Sequence, residues 1–183
     1  YYAAISFIDY QVGRLLAALE ETGQLDKTLI LFTSDHGELL GDFFSFGKRS
    51  YHDAASRITL LARHPALFPA GHRCTTPVSL LDVTTTMLAA AGDGTVKDDL
   101  LKGRKVGNST YKVHLDGYDL GPALKGEAAW PRHEFIYWTD DGSVAALRYD
   151  NWKVTFLKQE AEGLKVWQQP FTPLRAPALT NLR

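Results

Sequence analysis

Residues 28–33 read Thr-Leu-Ile-Leu-Phe-Thr, an unbroken apolar and β-branched run that stops at Ser34-Asp35-His36-Gly37. A run this short, with no alternation, predicts a strand buried on both faces. Such a strand belongs in an α/β fold: a mixed, mainly parallel sheet with flanking helices. Ligands in that architecture bind just beyond the carboxyl ends of the strands. A carboxylate, an imidazole and a glycine placed there make either a metal or anion site on a rigid support, or a plain strand-to-loop turn.

The neighbouring segments fit the same architecture. Ile5, Ile8, Val12, Leu15, Leu16 and Leu19 recur at helical spacing and predict an amphipathic helix over 2–22, with Gly23 as its C-terminal cap. Residues 57–63 read as a second buried strand. Leu80, Leu81, Met87 and Leu88 mark another helix, with Ser79 as N-cap, Asp82 three residues on as its partner, and Gly92 at its end. Residues 38–50 lack periodicity and read as a loop lining the site; residues 93–108 read as a surface crossing. Beyond Trp130-Pro131 the pattern changes. Strand-like runs at 134–139, 143–149 and 152–158 are separated by Asp140-Asp141-Gly142 and Asp150-Asn151, which predicts consecutive hairpins in a small C-terminal antiparallel sheet unit. The expected division is 1–126 for the α/β part and 127–183 for the antiparallel part.

Composition narrows the partners. With 183 residues and 45% hydrophobic content, the chain supports one sizeable core. A formal net charge of −1 gives no electrostatic pull toward nucleic acid or an anionic membrane. A single cysteine, Cys74, excludes an internal disulfide. No apolar run approaches the roughly 20 residues that a membrane span needs. Asn108-Ser109-Thr110 is a glycosylation sequon or a polar turn.

A wider set of blocks carries a family resemblance. Tyr1-Tyr2 through Asp9 and Gly13, Thr33-Ser34-Asp35-His36-Gly37-Glu38, Gly41-Asp42, Gly47-Lys48, Asp53 to Leu61, and Asp82 to Gly92 occur in an order that resembles the sulfatase family. Later blocks around His114-Leu115-Asp116-Gly117 and Phe135 to Gly142 look like the C-terminal part of bacterial arylsulfatases. Asp-His-Gly alone is shared with phosphodiesterases of the wider alkaline-phosphatase superfamily. The resemblance implies hydrolysis of a sulfuric ester in a sulfated small molecule or glycan, a divalent metal, calcium first, and a formylglycine nucleophile. It also suggests a periplasmic or secreted setting. That nucleophile is made from Cys or Ser in a Cys/Ser-x-Pro-x-Arg motif. Cys74-Thr75-Thr76-Pro77 has the wrong spacing, and no serine fits. The expectation is therefore a C-terminal portion of a larger enzyme, with the missing N-terminal half supplying the nucleophile and further metal ligands.

Carried over residue by residue, Asp35 matches the metal-ligand aspartate. His36 matches the next position and is a second metal ligand or a donor to the sulfate; zinc or manganese in place of calcium would suit its imidazole and favour a phosphodiesterase or phosphonate monoester hydrolase. Lys48 matches the lysine that reaches the sulfate, where an ammonium neutralises a developing oxyanion. His52, four residues on, reaches the same cleft or recognises substrate. Phe43-Phe44 and Thr59 depart from the family pattern, which bears on substrate preference. Asp53 and Arg57 read as a salt bridge bracing the loop, and Arg49 as a surface residue. His64 reads as structural, and His72 and His133 as surface residues. His114 and Asp116 line a pocket or pack in a turn. Tyr137, Trp138, Trp152 and Trp167 form the terminal core or a carbohydrate-stacking surface. A third function remains beside the two hydrolases: a non-catalytic orphan domain used for assembly.

Overall fold

A computed structural model describes residues 1–183. It is a mixed α/β fold whose strands form three separate antiparallel sheets. Helix α1, Tyr2–Glu21, ends where Gly23 takes a positive φ of 66° and donates to Glu20 O, with Gln24 N closing onto Leu19 O. No residue of α1 is buried, and Ile5, Phe7, Ile8 and Leu15 all face outward. The apolar stripe is thus left largely uncovered, with only Val12, Leu16 and Leu19 half-buried.

Strand β1, Ile30–Thr33, pairs antiparallel with β2, Leu60–Arg63, in the register Ile30↔Arg63 to Thr33↔Leu60. The expected mainly parallel sheet is corrected here, because every ladder between strands in the chain is antiparallel. Apolar content reports burial and says nothing of the neighbour's direction. Burial on both faces is also corrected: neither strand holds a fully buried residue, and Phe32 and Leu61 stay exposed. A two-stranded ribbon needs covering layers that these strands lack here.

Between them lie the site loop and the single-turn α2, Asp53–Ser56. Helix α3, Leu80–Ala90, has the capping box that Ser79 and Asp82 predict, and ends before Gly92 at φ 94°. Residues 93–108, expected to be a crossing, hold α4, Val96–Lys102, and half of a hairpin, β3, Arg104–Val106, with β4, Ser109–Tyr111. Helix α5 is one turn, Gly121–Leu124.

The largest sheet runs β5, Glu134–Trp138; β6, Val144–Tyr149; β7, Trp152–Lys158; and β8, Thr172–Asn181, each antiparallel to the next. The first three match the sequence expectation to within a residue at each end. Buried Tyr137, Ala145 and Ala146 form its core, with Tyr51, Phe135 and Leu157 packed on them. Tyr51 belongs to the site loop, so this core joins the C-terminal sheet to the loop.

A second junction is polar. Arg132 and Asp82 are both buried, and the guanidinium meets the carboxylate through Nε at 2.8 Å and NH2 at 2.7 Å. Asp82 also accepts from Ser79 N and Tyr118 N, at 2.9 and 2.8 Å. One carboxylate thereby ties α3, the 114–120 loop and the approach to β5.

Candidate active site

The loop after β1 is seated by backbone. Gly37 N donates to Ala55 O at 2.8 Å and Glu38 N to Ala54 O at 3.0 Å, both on α2. The chains approach so closely that a Cβ on Gly37 would lie 2.0 Å from Ala54 O. Glycine is needed here for space. Glu38 then closes the loop on itself, its Oε1 accepting from Gly47 N at 2.5 Å and Leu40 N at 3.2 Å. Those bonds hold its carboxyl below the usual range. Nothing in the motif around Glu38 signals this role.

Asp35 is exposed at the end of the strand, and its Oδ1 accepts from His36 N at 2.9 Å and Ser34 Oγ at 3.4 Å. Desolvation, the largest single influence, pushes its carboxyl up; the His36 N–H, with His36 and Lys48 nearby, outweighs it and holds the carboxyl below its usual range. His36 Nδ1 lies 2.7 Å from Gly37 O, an oxygen that only accepts, so Nδ1 carries a proton. That leaves Nε2 facing Asp35 Oδ2 at 3.3 Å. A lone pair on Nε2 beside a carboxylate oxygen repels it unless a proton or a cation sits between them. The donor pair fits one edge of a metal site, one oxygen and one imidazole nitrogen with its tautomer fixed from behind. No group of three or more His, Cys, Asp or Glu side chains converges in the chain. Asp35 and His36 stand as a pair of donors, with no third such side chain beside them.

Asp35 and Lys48 line the same open cleft, of about 860 Å³, which Lys97, His114, Asp116, Trp138 and Trp167 also line. His114 Nδ1 and Asp116 Oδ1 pair at 3.0 Å, both exposed. The structure thus brings Asp35, His36 and Lys48 into one neighbourhood. His52 stands apart: its ring stacks on Phe43 at 3.6 Å and 10°, and it lines a smaller cavity of about 40 Å³ with Leu39 and Tyr51. Burial holds its imidazole below the ordinary value, with the Lys153 charge adding to the effect.

Two further expectations are corrected. Asp53 and Arg57 form no salt bridge; within the short α2 they share only the backbone bond from Arg57 N to Asp53 O at 2.7 Å, and Arg57 stays exposed. Arg49 is no free surface residue. Its NH2 lies 2.5 Å from Asp140 Oδ2, and NH1 donates to Trp167 O at 3.3 Å. Its partner Trp167 lies 118 residues away, so no local signal could have shown the contact.

The Sulfatase family model matches residues 1–93, from α1 through β1, the site loop and α3. The chain belongs to the sulfatase family. Its relatives include steryl-sulfatase of Mus musculus, 33% identical over 97% of this chain and 27% of that protein. Among solved structures, the PsFucS1 sulfatase from Pseudoalteromonas sp. superposes with a TM-score of 0.77 at 26% identity, over 98% of this chain and 35% of that one. The phosphonate monoester hydrolase SpPMH from Silicibacter pomeroyi superposes with a TM-score of 0.62 at 28% identity, over 95% of this chain and 32% of that one. The chain thus spans about three-tenths of the length of the sulfatases it matches. No helix is long and apolar enough to cross a membrane.

Proposed function

We propose that the chain supplies the metal- and sulfate-facing residues of a sulfuric ester hydrolase. Residues 1–126 would be the C-terminal part of its α/β catalytic domain, and 127–183 a small antiparallel unit. The observation that carries the reading is the Asp35–His36 oxygen–nitrogen pair at 3.3 Å, with Lys48 in the same cleft. A divalent ion held there would act as a Lewis acid on the sulfate oxygens. Calcium favours the carboxylate, and zinc or manganese would use the imidazole better.

The residues of this chain divide the work. Asp35, held ionised, presents a ligand oxygen at the rim. His36, its Nδ1–H committed to Gly37 O, presents Nε2 as a ligand or a donor toward the ester. Lys48 places an ammonium where charge gathers as the S–O bond to the leaving group breaks. His52, stacked on Phe43 in the adjoining small cavity, would meet only the part of a substrate that extends past the Lys48 cleft. The nucleophile, a formylglycine in this reading, comes from polypeptide outside the chain. The uncovered apolar side chains of α1, β1 and β2 supply the surface on which that polypeptide packs. The substrate would be a sulfated small molecule or glycan.

A second reading has two observations in its favour. The imidazole ligand and the likeness to a phosphonate monoester hydrolase both suit a phosphoryl ester on the same scaffold.

The test is Lys48→Ala in the natural full-length polypeptide, assayed on an aryl sulfate and an aryl phosphonate monoester. The expected result is metal-dependent sulfate release that falls about 10²–10³-fold in the variant, the scale for losing one oxyanion-stabilising group. The thermal midpoint should not move, because Lys48 is exposed. An unchanged rate would remove Lys48 from the site, and faster turnover of the phosphonate would favour the second reading.

A further inference from the structure

The segment that carries Lys48 is gripped by the C-terminal sheet from two directions. Outward from the loop, Arg49 reaches Asp140 in the β5–β6 turn, with NH2 2.5 Å from Oδ2. The same guanidinium donates to Trp167 O at 3.3 Å and lies 5.6 Å from the centre of the Trp167 ring. The indole closes on the backbone just before Lys48, where a Cβ on Gly47 would stand 3.0 Å from Trp167 Cζ2. Gly47 sits at φ 88°, so both its conformation and its lack of a side chain are needed there. Inward from the sheet, buried Lys153 on β7 donates to Tyr51 O, and its ammonium lies 4.2 Å from the centre of the Tyr137 ring and 5.3 Å from that of Tyr51. Lys48 is therefore flanked by Gly47, against the Trp167 indole, and by clamped Arg49, with the Lys153 ammonium holding Tyr51 three residues on.

We propose that the C-terminal sheet is a positioning device for Lys48, acting through the Arg49–Asp140–Trp167 clamp; the functional consequence rests on the reading that Lys48 faces the sulfate. A lysine on its own is a flexible point charge. The precision that catalysis needs must then come from its backbone, and a misplacement near 1 Å costs about 100-fold in rate. Arg49 provides a planar fork with two different acceptors and an aromatic face, so it fixes direction as well as distance. Asp140 is the accessible end of the clamp, its side chain 72% exposed, whereas that of Arg49 is 20% exposed.

The deciding variants are Asp140→Asn, which removes the anion and keeps its size, and Arg49→Lys, which keeps the charge and loses the fork. In the natural full-length protein, each should lower kcat on an aryl sulfate about tenfold while moving KM less than about twofold, an intermediate loss on the scale set by misplacement. Neither should matter once Lys48→Ala is already present. Equal losses with and without Lys48 would overturn the proposal, as would no loss at all. Hydrogen exchange at the amides of residues 47–50 is the second readout. It should speed up in Asp140→Asn while residues 30–33 stay unchanged; unaltered exchange at 47–50 also overturns it. If even the unmodified protein releases no sulfate, the catalytic reading fails, and exchange alone decides whether the sheet orders the loop.

Discussion

Asp82→Ala should be among the most damaging single substitutions in the chain. The Asp82 side chain is fully buried and its two oxygens accept four donors: Arg132 NH2 and Tyr118 N on Oδ1, Arg132 Nε and Ser79 N on Oδ2. Truncation takes the better-placed anion from the buried guanidinium of Arg132, which Asp82 otherwise holds above its usual pKa, and leaves it only the longer contact to part-exposed Glu134 at 3.3 Å. Breaking a buried pair from one side costs about 3–5 kcal/mol. The capping box of α3 goes with it, worth about 1 kcal/mol when its N-cap bond is lost, although Ser79 retains its own half. About 4 kcal/mol is therefore the working figure, a large share of the 5–15 kcal/mol that typically holds a domain together. For a protein this size each kcal/mol moves the midpoint by about 2–4 °C, so the fall should be about 8–16 °C. Urea and thermal denaturation followed by circular dichroism measure both. The pair Asp82→Leu with Arg132→Met should cost far less, because no fully buried charge is left; Glu134, which loses Arg132, is part-exposed and keeps its bond from the Tyr118 hydroxyl. A loss below about 1 kcal/mol for Asp82→Ala, or a double variant as unstable as the single one, would refute the view that the stranded charge sets the cost.

Two further substitutions test the site's support. Gly37→Ala places a methyl 2.0 Å from Ala54 O, so the loop must lift from α2; a loss of about 1–3 kcal/mol in urea denaturation is expected, and a neutral result would show that the loop is not seated as described. His52 is held below its ordinary value by burial, so the fold favours its neutral form. Stability should therefore be full above the unfolded pKa of about 6.5 and decline as pH falls below that toward the depressed folded value. His52→Gln should flatten that part of the profile, and an identical pH dependence in the variant would show that His52 does not couple to folding.

Much of the fold could be read from local chemistry. The β5, β6 and β7 runs were legible because Asp140-Asp141-Gly142 and Asp150-Asn151 punctuate them, with Gly142 and Asp150 both at positive φ. The capping box named the start of α3 in the same way. Helix α4 was not legible, since Val96 is its only buried residue and its sequence is mostly charged, leaving no stripe to detect. Strand β8 was missed because Pro173 and Pro177 argue against a strand, and prolines are tolerated there only because β8 lies at the sheet edge.

The site divides along the same line. Asp35, His36 and Lys48 are part of a contiguous pattern around one strand end, and such a pattern survives in sequence. The contacts on the segment around Lys48 do not: Arg49 meets Trp167 across 118 residues, and Lys153 reaches Tyr51 across 102. An arginine beside a glycine and a lysine looks the same in sequence whether it is solvated or clamped. Only the C-terminal sheet distinguishes the two, by bringing a turn carboxylate and an indole to the loop. The antiparallel unit that looks like an appendage in sequence is therefore where the geometry of the lysine is set, and changes far from the Asp-His-Gly motif should act on the reaction through that contact.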